Sequence, residues 1–150
     1  MDMPAYLAYL TERLRSAGGH LAIEQVATLD PTTHGVPVIV NCTGIGAHAL
    51  VPDPGVYPVR GHHVVTTNPG LTDFLEADTG DSTDLIAIYP HREHVILGGT
   101  TERAVWNRRA EPDTAERILA RCIAVEPRLA EAEVLDHRIG LRPHSTPHPP

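Results

Sequence analysis

The chain has 150 residues and a net charge of −7; 41% of its residues are hydrophobic and only 4% are aromatic. This length corresponds to about one domain, and the acidic balance argues against a nucleic-acid-binding protein, which needs a basic surface. The strongest apolar run is far too short to cross a bilayer, and the acidic start is unlike a signal peptide, so we expect a cytoplasmic protein without a membrane partner.

The first third of the chain is predicted to hold one helix and two strands. Leucines at helical spacing predict a helix over 4–17, ended by Gly18 and Gly19. Apolar residues favour a strand over 20–28. The β-branched run 36–40 is typical of a strand buried on both faces, and a short helix follows it.

The rest of the chain alternates between strand and helix signals. Its predicted elements are a strand, a hairpin with its turn, a loop, a helix that ends at a proline, and a final strand. They cover 56–67, 86–97, 101–111, 112–126 and 134–141. This order is not a run of βαβ units, so it predicts an α+β fold with a largely antiparallel sheet. We expect residues 144–150 to form a disordered tail.

Cys42 and Cys122 stand far apart without any motif around them. Cys42 follows an apolar run, and Cys122 lies on the apolar face of the predicted helix. Both are interpreted as small buried hydrophobic residues rather than as partners in a disulfide.

The segment Gly44–Ala49 satisfies the pattern G-x-G-x-x-A after an apolar run. One interpretation is a dinucleotide fingerprint, which requires a βαβ unit around it. A second is a turn that needs small residues. A third is a backbone that closely approaches a cofactor bound mainly by another part of a longer protein.

The histidines and nucleophilic side chains give no catalytic or metal-ligating motif. His62 and His63 are adjacent on a predicted strand, so they point to opposite faces and are poorly placed to bind one ion. His91 and His94 lie in the predicted hairpin turn. We therefore predict no metal site, and no residue is assigned as a catalytic acid, base or nucleophile.

Arg142 ends the last predicted strand, on the face opposite Ile139 and Leu141. One interpretation is a surface arginine or a member of an ion pair at the strand end. The other is a carboxylate clamp, because a guanidinium fork bonds both oxygens of a carboxylate at once. Spacing alone does not choose between them.

Six segments, in this order, resemble the D-amino-acid oxidases and the related D-aspartate oxidases. They are Pro4-x-Tyr6-Leu7-x-x-Leu10, Val40-Asn41-Cys42-Thr43-Gly44 with Gly46-Ala47, Tyr57-Pro58-Val59-Arg60-Gly61, Ile96-Leu97-Gly98-Gly99-Thr100, Trp106-Asn107, and Gly140-Leu141-Arg142-Pro143. The resemblance extends over 1–143 and implies a partial D-amino-acid-oxidase-like domain. The implied fold joins a late piece of an FAD-binding α/β domain to a substrate domain with a mixed sheet.

The resemblance also implies roles for single residues. Val26, Thr43 and Gly44 are expected near FAD, and Arg142 is expected to bind the α-carboxylate of the substrate. Relatives of this kind place a tyrosine where this chain has Ala87, so Tyr89, two residues on and on the same strand face, is the candidate replacement.

The implied activity is the FAD-dependent oxidation of D-amino acids to 2-oxo acids, ammonia and hydrogen peroxide, with O₂ as the second substrate. Such families begin with a G-x-G-x-x-G turn and close with a glycine-rich segment, so we expect a chain truncated at both ends. Its expected protein partners are a second copy of itself or a complementing flavin-domain chain. The alternatives are a non-catalytic remnant or interaction module that lacks flavin, and an oxidoreductase of the glycine or sarcosine oxidase type.

Overall fold

The computed structural model of the chain describes residues 3–51, 53–78 and 84–146. The chain forms two compact units, Met1–Val40 and Asn41–Pro150. The expected partial domain over 1–143 stays a prediction.

The first unit contains two helices. Helix α1 spans Met3–Ser16 and confirms the predicted helix within one residue at each end. Its leucine stripe is exposed. Helix α2 spans only Pro31–His34; the Asp30 carboxylate accepts a hydrogen bond from the Thr32 backbone N–H at 2.9 Å and caps it.

The two strands predicted in this unit are wrong. Residues 20–28 and 36–40 form neither helix nor strand. Apolar and β-branched side chains favour a pleated surface, but hydrogen bonds to a neighbouring strand stabilise the extended backbone. Within the described part of the chain, no segment pairs with either run.

The second unit holds the sheet and one long helix. A 3₁₀ turn at Gly44–Gly46 leads into the short helix α3, Ala47–Leu50, as predicted. The strands are β1 Val56–Thr67, β2 Leu75–Asp78, β3 Leu85–Pro90, β4 His94–Gly98, β5 Glu102–Arg103 and β6 Val134–Ser145. Helix α4 spans Pro112–Val125, and a second 3₁₀ turn spans Pro127–Glu131.

The sheet is antiparallel at every described pairing, which confirms the predicted α+β fold. The order β2-β3-β4-β1 continues to β6 on the far side of β1, while the short β5 pairs with β1 beside β4. Strands β3 and β4 form the predicted hairpin. Strand β6 pairs with β1 along its whole length, with Gly61 opposite Gly140 and Val59 opposite Arg142.

One face of the sheet packs against α4 and forms the hydrophobic core. Val64 of β1 and Leu97 of β4 meet Ile118 and Cys122 of the helix, and all four are 0% exposed. The α4 stripe and a buried Cys122 were both predicted. We call this side of the sheet the helix face.

A buried arginine lies next to this core. Arg60 is 1% exposed, and its Nη1 donates to Glu102 Oε2 at 2.5 Å and lies 3.1 Å from Glu111 Oε1. Its Nη2 donates to the Arg109 carbonyl oxygen. A buried charge needs partners on several sides. Two partners of Arg60, Glu111 and the Arg109 carbonyl oxygen, lie in the loop before α4, so the arginine holds this loop against the sheet.

Three features differ from the prediction. Strand β5 is present in a segment expected to be a loop, and strand β2 was not predicted. Strand β6 runs two residues past position 143, because His144 and Ser145 pair with Tyr57 and Val56; residues 147–150 of the expected tail lie outside the described residues. Cys42 is exposed rather than buried, because the run before it forms no strand that could cover it.

None of the helices in the described part of the chain is both long enough and apolar enough to span a bilayer.

Replacing Ile118 with alanine tests the core. We expect the I118A variant to lose about 3 kcal/mol of unfolding free energy, because a fully buried side chain leaves a cavity. The matched control is I23A, since Ile23 is 100% exposed and its truncation should change stability by less than about 0.5 kcal/mol. Equal losses in chemical denaturation would contradict the described core.

Candidate functional site

The face of the sheet opposite the core carries a cavity of about 390 Å³, a size typical of small-molecule sites. Because side chains alternate along a strand, the strands send one set of residues to the helix face and the other to this cavity face. The cavity is lined by His63, Glu76, Asp78, Asp84, Leu85, Ala87, Tyr89, Gly99, Thr100, Thr101 and Arg142. It therefore unites residues from five segments of the second unit.

The Arg142 guanidinium lies on the β6 side of this cavity. Its Nη2 donates to the Thr100 carbonyl oxygen at 3.4 Å. A Cβ atom at Gly61 would lie only 2.8 Å from the same nitrogen, so the absence of a side chain at Gly61 gives the guanidinium its position. In the described ranges no ion pair engages Arg142, and its side chain lines the cavity.

Tyr89 lines the opposite side, from β3. Its hydroxyl donates to Glu76 Oε2 at 2.6 Å. This hydrogen bond, followed by burial and the charge of Glu76, raises the pKa of Tyr89 to about 12. Ala87 lies on the same strand face, 1% exposed, and also lines the cavity. Tyr89 thus lines the same cavity as Arg142, and its proton is directed to Glu76.

His63 forms part of the cavity floor. Burial lowers its pKa, and the positive charges of Arg142 and Arg138 lower it further. The ring is therefore neutral at pH 7. Its Nδ1 has no hydrogen-bond partner in the described structure and lies against Gly98. A neutral His63 does not compete with Arg142 for an anion.

His62 points to the helix face, as predicted from its adjacency to His63. It is 0% exposed, and its Nε2 lies 3.3 Å from His137 Nδ1. Burial, followed by the charges of His137 and Arg60, lowers the pKa of His62. The rings of His91 and His94 stack at the hairpin turn. Across the described residues, no group of three potential ligands could hold a metal ion.

The Thr43-Gly44 turn lies at the start of the second unit. The Asn41 side-chain oxygen accepts hydrogen bonds from the Thr43 backbone N–H at 3.1 Å and from the Thr43 hydroxyl at 2.7 Å. Gly44 has φ +58°, and a Cβ there would meet nothing within 4 Å. The 3₁₀ turn that follows packs against β6 and β1. This exposed backbone could be approached closely by a flat or anionic group, so the residues fit a contact with FAD.

The interpretation of Gly44–Ala49 as a dinucleotide fingerprint is wrong, because no strand precedes it among the described residues and only a four-residue helix follows. Val26 lies in the first unit, on a segment without helix or strand. The structure therefore brings Arg142 and Tyr89 to one cavity, while Thr43 and Gly44 lie on a separate turn of the same unit.

Sequence reasoning missed the acidic side of the cavity. Glu76 and Asp78 alternate along β2, a short polar segment for which no strand was predicted. Their spacing of two residues is the one signal that could have placed them on a common strand face.

The second unit is therefore a helix-backed antiparallel sheet with an arginine-lined cavity on its open face. The family model described as FAD dependent oxidoreductase matches residues 1–150. The chain belongs to this FAD-dependent oxidoreductase family.

The chain is similar in sequence to two D-amino-acid oxidases and one D-aspartate oxidase. The chain is 48% identical over 142 residues to a D-amino-acid oxidase of Rubrobacter xylanophilus and 45% identical over 143 residues to one of Streptomyces coelicolor. It is 34% identical to the human D-aspartate oxidase. These matches cover 95% of this chain but only 43%, 44% and 41% of the respective relatives, so the chain spans less than half their length.

A solved structure supports the fold. The crystal structure of glycine oxidase from Geobacillus kaustophilus matches with a TM-score of 0.60 at 24% identity, covering 69% of this chain and 29% of that one. At this identity the likeness concerns the fold alone.

Substituting Gly61 tests how Arg142 is positioned. We expect G61A to displace the guanidinium, because the new Cβ would lie 2.8 Å from Nη2, and to shift the Arg142 Nε–Hε resonance in ¹⁵N spectra. The control is G140A on the paired strand, where a Cβ meets nothing within 4 Å. An unchanged Arg142 signal in G61A, or an equal shift in G140A, would contradict the described packing.

Proposed function

We propose that this chain is the substrate-binding part of an enzyme that oxidises D-amino acids to 2-oxo acids, with release of ammonia and hydrogen peroxide. One observation carries the proposal: the Arg142 guanidinium faces a cavity of amino-acid size on the open side of the sheet. The similarity to D-amino-acid oxidases at 48% and 45% identity supports it.

Arg142 is proposed to bind the substrate carboxylate. A guanidinium presents two parallel N–H donors that match two carboxylate oxygens, so it fixes orientation as well as supplying charge. The neutral His63 beside it leaves this positive charge as the attraction for an anion on that side. Such positioning is the main contribution that a protein makes when a cofactor performs the redox step.

Tyr89 is proposed to contact the substrate from the opposite side. Its hydroxyl proton is donated to Glu76, so its oxygen is suited to accept a hydrogen bond from the substrate rather than to donate one to a carboxylate. The N–H groups proposed to donate hydrogen bonds to the substrate carboxylate are therefore those of Arg142.

The proposed cofactor is FAD, with Thr43 and Gly44 as its contacts on the second unit. The expected FAD contact of Val26, in the first unit, is a separate prediction. When bound, FAD supplies the acceptor for the hydride of the substrate Cα. The open backbone at Gly44 and the hydrogen-bonded Thr43 turn fit such a contact. The relatives that the chain matches are more than twice as long. We therefore propose that further flavin contacts come from additional polypeptide or from a complementing chain. The proposed location is the cytoplasm, and a homo-oligomer is the alternative assembly.

Substitution of Arg142 tests the function. The chain is mixed with FAD and D-alanine, and peroxide release and the flavin spectrum are followed. If the chain is active, we expect R142Q to lower kcat/KM by about 100-fold or more, because the carboxylate loses both donors. The control R138Q removes an arginine from the same strand face and should change kcat/KM by less than about threefold.

The outcome also separates the alternatives. A wild-type chain that binds no FAD and releases no peroxide would support the non-catalytic remnant. An active chain whose R142Q variant keeps its kcat/KM would overturn the role of Arg142 while leaving the oxidase activity in place.

A further inference from the structure

Arg121 reaches from α4 to the backbone at the edge of the cavity. It lies beside the buried Cys122, on the part of the helix that packs over β3, and its side chain is 20% exposed. Its Nη1 donates to Asp84 Oδ2 at 2.7 Å, and its Nη2 donates to the Gly99 carbonyl oxygen at 3.2 Å. The ion pair with Asp84 orients the guanidinium. One planar group therefore contacts two acceptors at once, with a fork geometry that a lysine lacks.

The Gly99 carbonyl belongs to the segment that carries the hydrogen-bond acceptor of Arg142. Gly99 pairs with Leu85 through two backbone hydrogen bonds of 2.8 and 3.0 Å, and its carbonyl oxygen accepts the longer one. The Arg121 guanidinium supplies a second hydrogen bond to that oxygen, which has two lone pairs. The next residue, Thr100, presents its carbonyl oxygen to Arg142 Nη2 at 3.4 Å. Two adjacent carbonyl groups are thus bound by the two arginines.

The same segment is packed closely against β1. A Cβ atom at Gly99 would lie 3.2 Å from His63 Cε1, so the backbone rests directly on the ring at the cavity floor. The Thr100 hydroxyl accepts a hydrogen bond from the His62 backbone N–H at 3.2 Å. These contacts hold the segment on the β1 side, and Arg121 ties it to α4. The position of the Thr100 carbonyl therefore depends on both.

We propose that Arg121 is a positioning residue for Arg142: by holding the Gly99 carbonyl, it keeps the Thr100 carbonyl where the Arg142 guanidinium docks. The inference rests on the proposed function, because an oriented Arg142 serves to bind the substrate carboxylate. A guanidinium engaged by one backbone carbonyl keeps its other N–H groups for a ligand in the cavity. Without the bond from Arg121 the segment gains freedom, and those N–H groups no longer converge on one place.

The first test uses the chain alone and needs neither cofactor nor substrate. The Arg142 Nε–Hε resonance is identified by its loss in R142Q and is then followed in R121M, which keeps a long unbranched side chain but has no N–H donor. We expect the resonance to shift in R121M. The matched control is R117M, which removes an exposed arginine one turn earlier on α4, bonded to Thr114 of the same helix. R117M should leave the resonance in place.

A second variant, R121K, keeps the test valid if R121M does not fold. The lysine retains a cation beside Asp84, but its ammonium group lacks the planar fork that bonds two acceptors. We expect R121K to fold and to shift the Arg142 resonance in the same direction as R121M, by a smaller amount. A resonance that is unmoved in every folded Arg121 variant would mean that Arg121 does not position Arg142, and the inference would be overturned.

Binding of D-alanine gives the functional readout. In NMR titrations of the full chain with FAD, we expect R121M to raise the Kd for D-alanine about fivefold, the factor that corresponds to one weakened hydrogen bond. R117M should leave the Kd within about twofold. If the chain with FAD oxidises D-alanine, KM should rise by a similar factor with kcat unchanged, because Arg142 holds the carboxylate in the ground state and in the transition state alike. An equal loss of kcat would indicate a general structural defect and contradict a positioning role.

The proposed function and this inference fail in different ways. A shifted Arg142 resonance in R121M, with no binding of D-alanine to the wild type, would overturn the proposed function and leave the positioning of Arg142 in place. An unmoved resonance, with D-alanine binding that is equal in the wild type and R121M but lost in R142Q, would overturn the inference and leave the proposed function in place.

Discussion

The pairing of β1 with β6 is the constraint on which the rest of this structure depends. The two strands run antiparallel over their whole length, with Gly61 opposite Gly140 and Val59 opposite Arg142. A slip of one residue would move every β6 side chain to the other face. Arg142 would then lie on the helix face of the sheet, and Leu141 would lie on the cavity face. The register therefore decides which β6 residues reach the cavity.

The two faces of the sheet have different roles in the second unit. The helix face buries Val64, Leu97 and Ile118 at 0% exposure, and the Arg60 ion pairs hold the loop before α4 in place. Close packing of this kind fixes the backbone, which lets the opposite face carry polar groups at set positions. The cavity in turn has Arg142 on its β6 side and Glu76 on its β2 side, so its polarity follows from strand order.

The sequence allowed prediction of the parts of the fold that depend on local patterns. The alternation in 134–141 predicted which β6 residues share a face of the sheet, and the periodicity of α1 and α4 predicted both helices. Residues 36–40 failed because a β-branched run cannot reveal whether a partner strand exists. Strand β2 was missed because its acidic residues are atypical of strands. Arg142 could be placed on a face, but its proximity to Tyr89 and Thr100 depends on long-range pairing that spacing does not show.

The most direct test is a measurement of the register between β1 and β6. Cross-strand nuclear Overhauser effects between backbone protons of β1 and β6 can be measured in the isotope-labelled chain. The described β1–β6 pairing predicts contacts that place Gly61 opposite Gly140 and His63 opposite Arg138. Contacts that place Gly61 opposite Ile139 or Leu141 would contradict it, since Arg142 would then lie on the core side of the sheet.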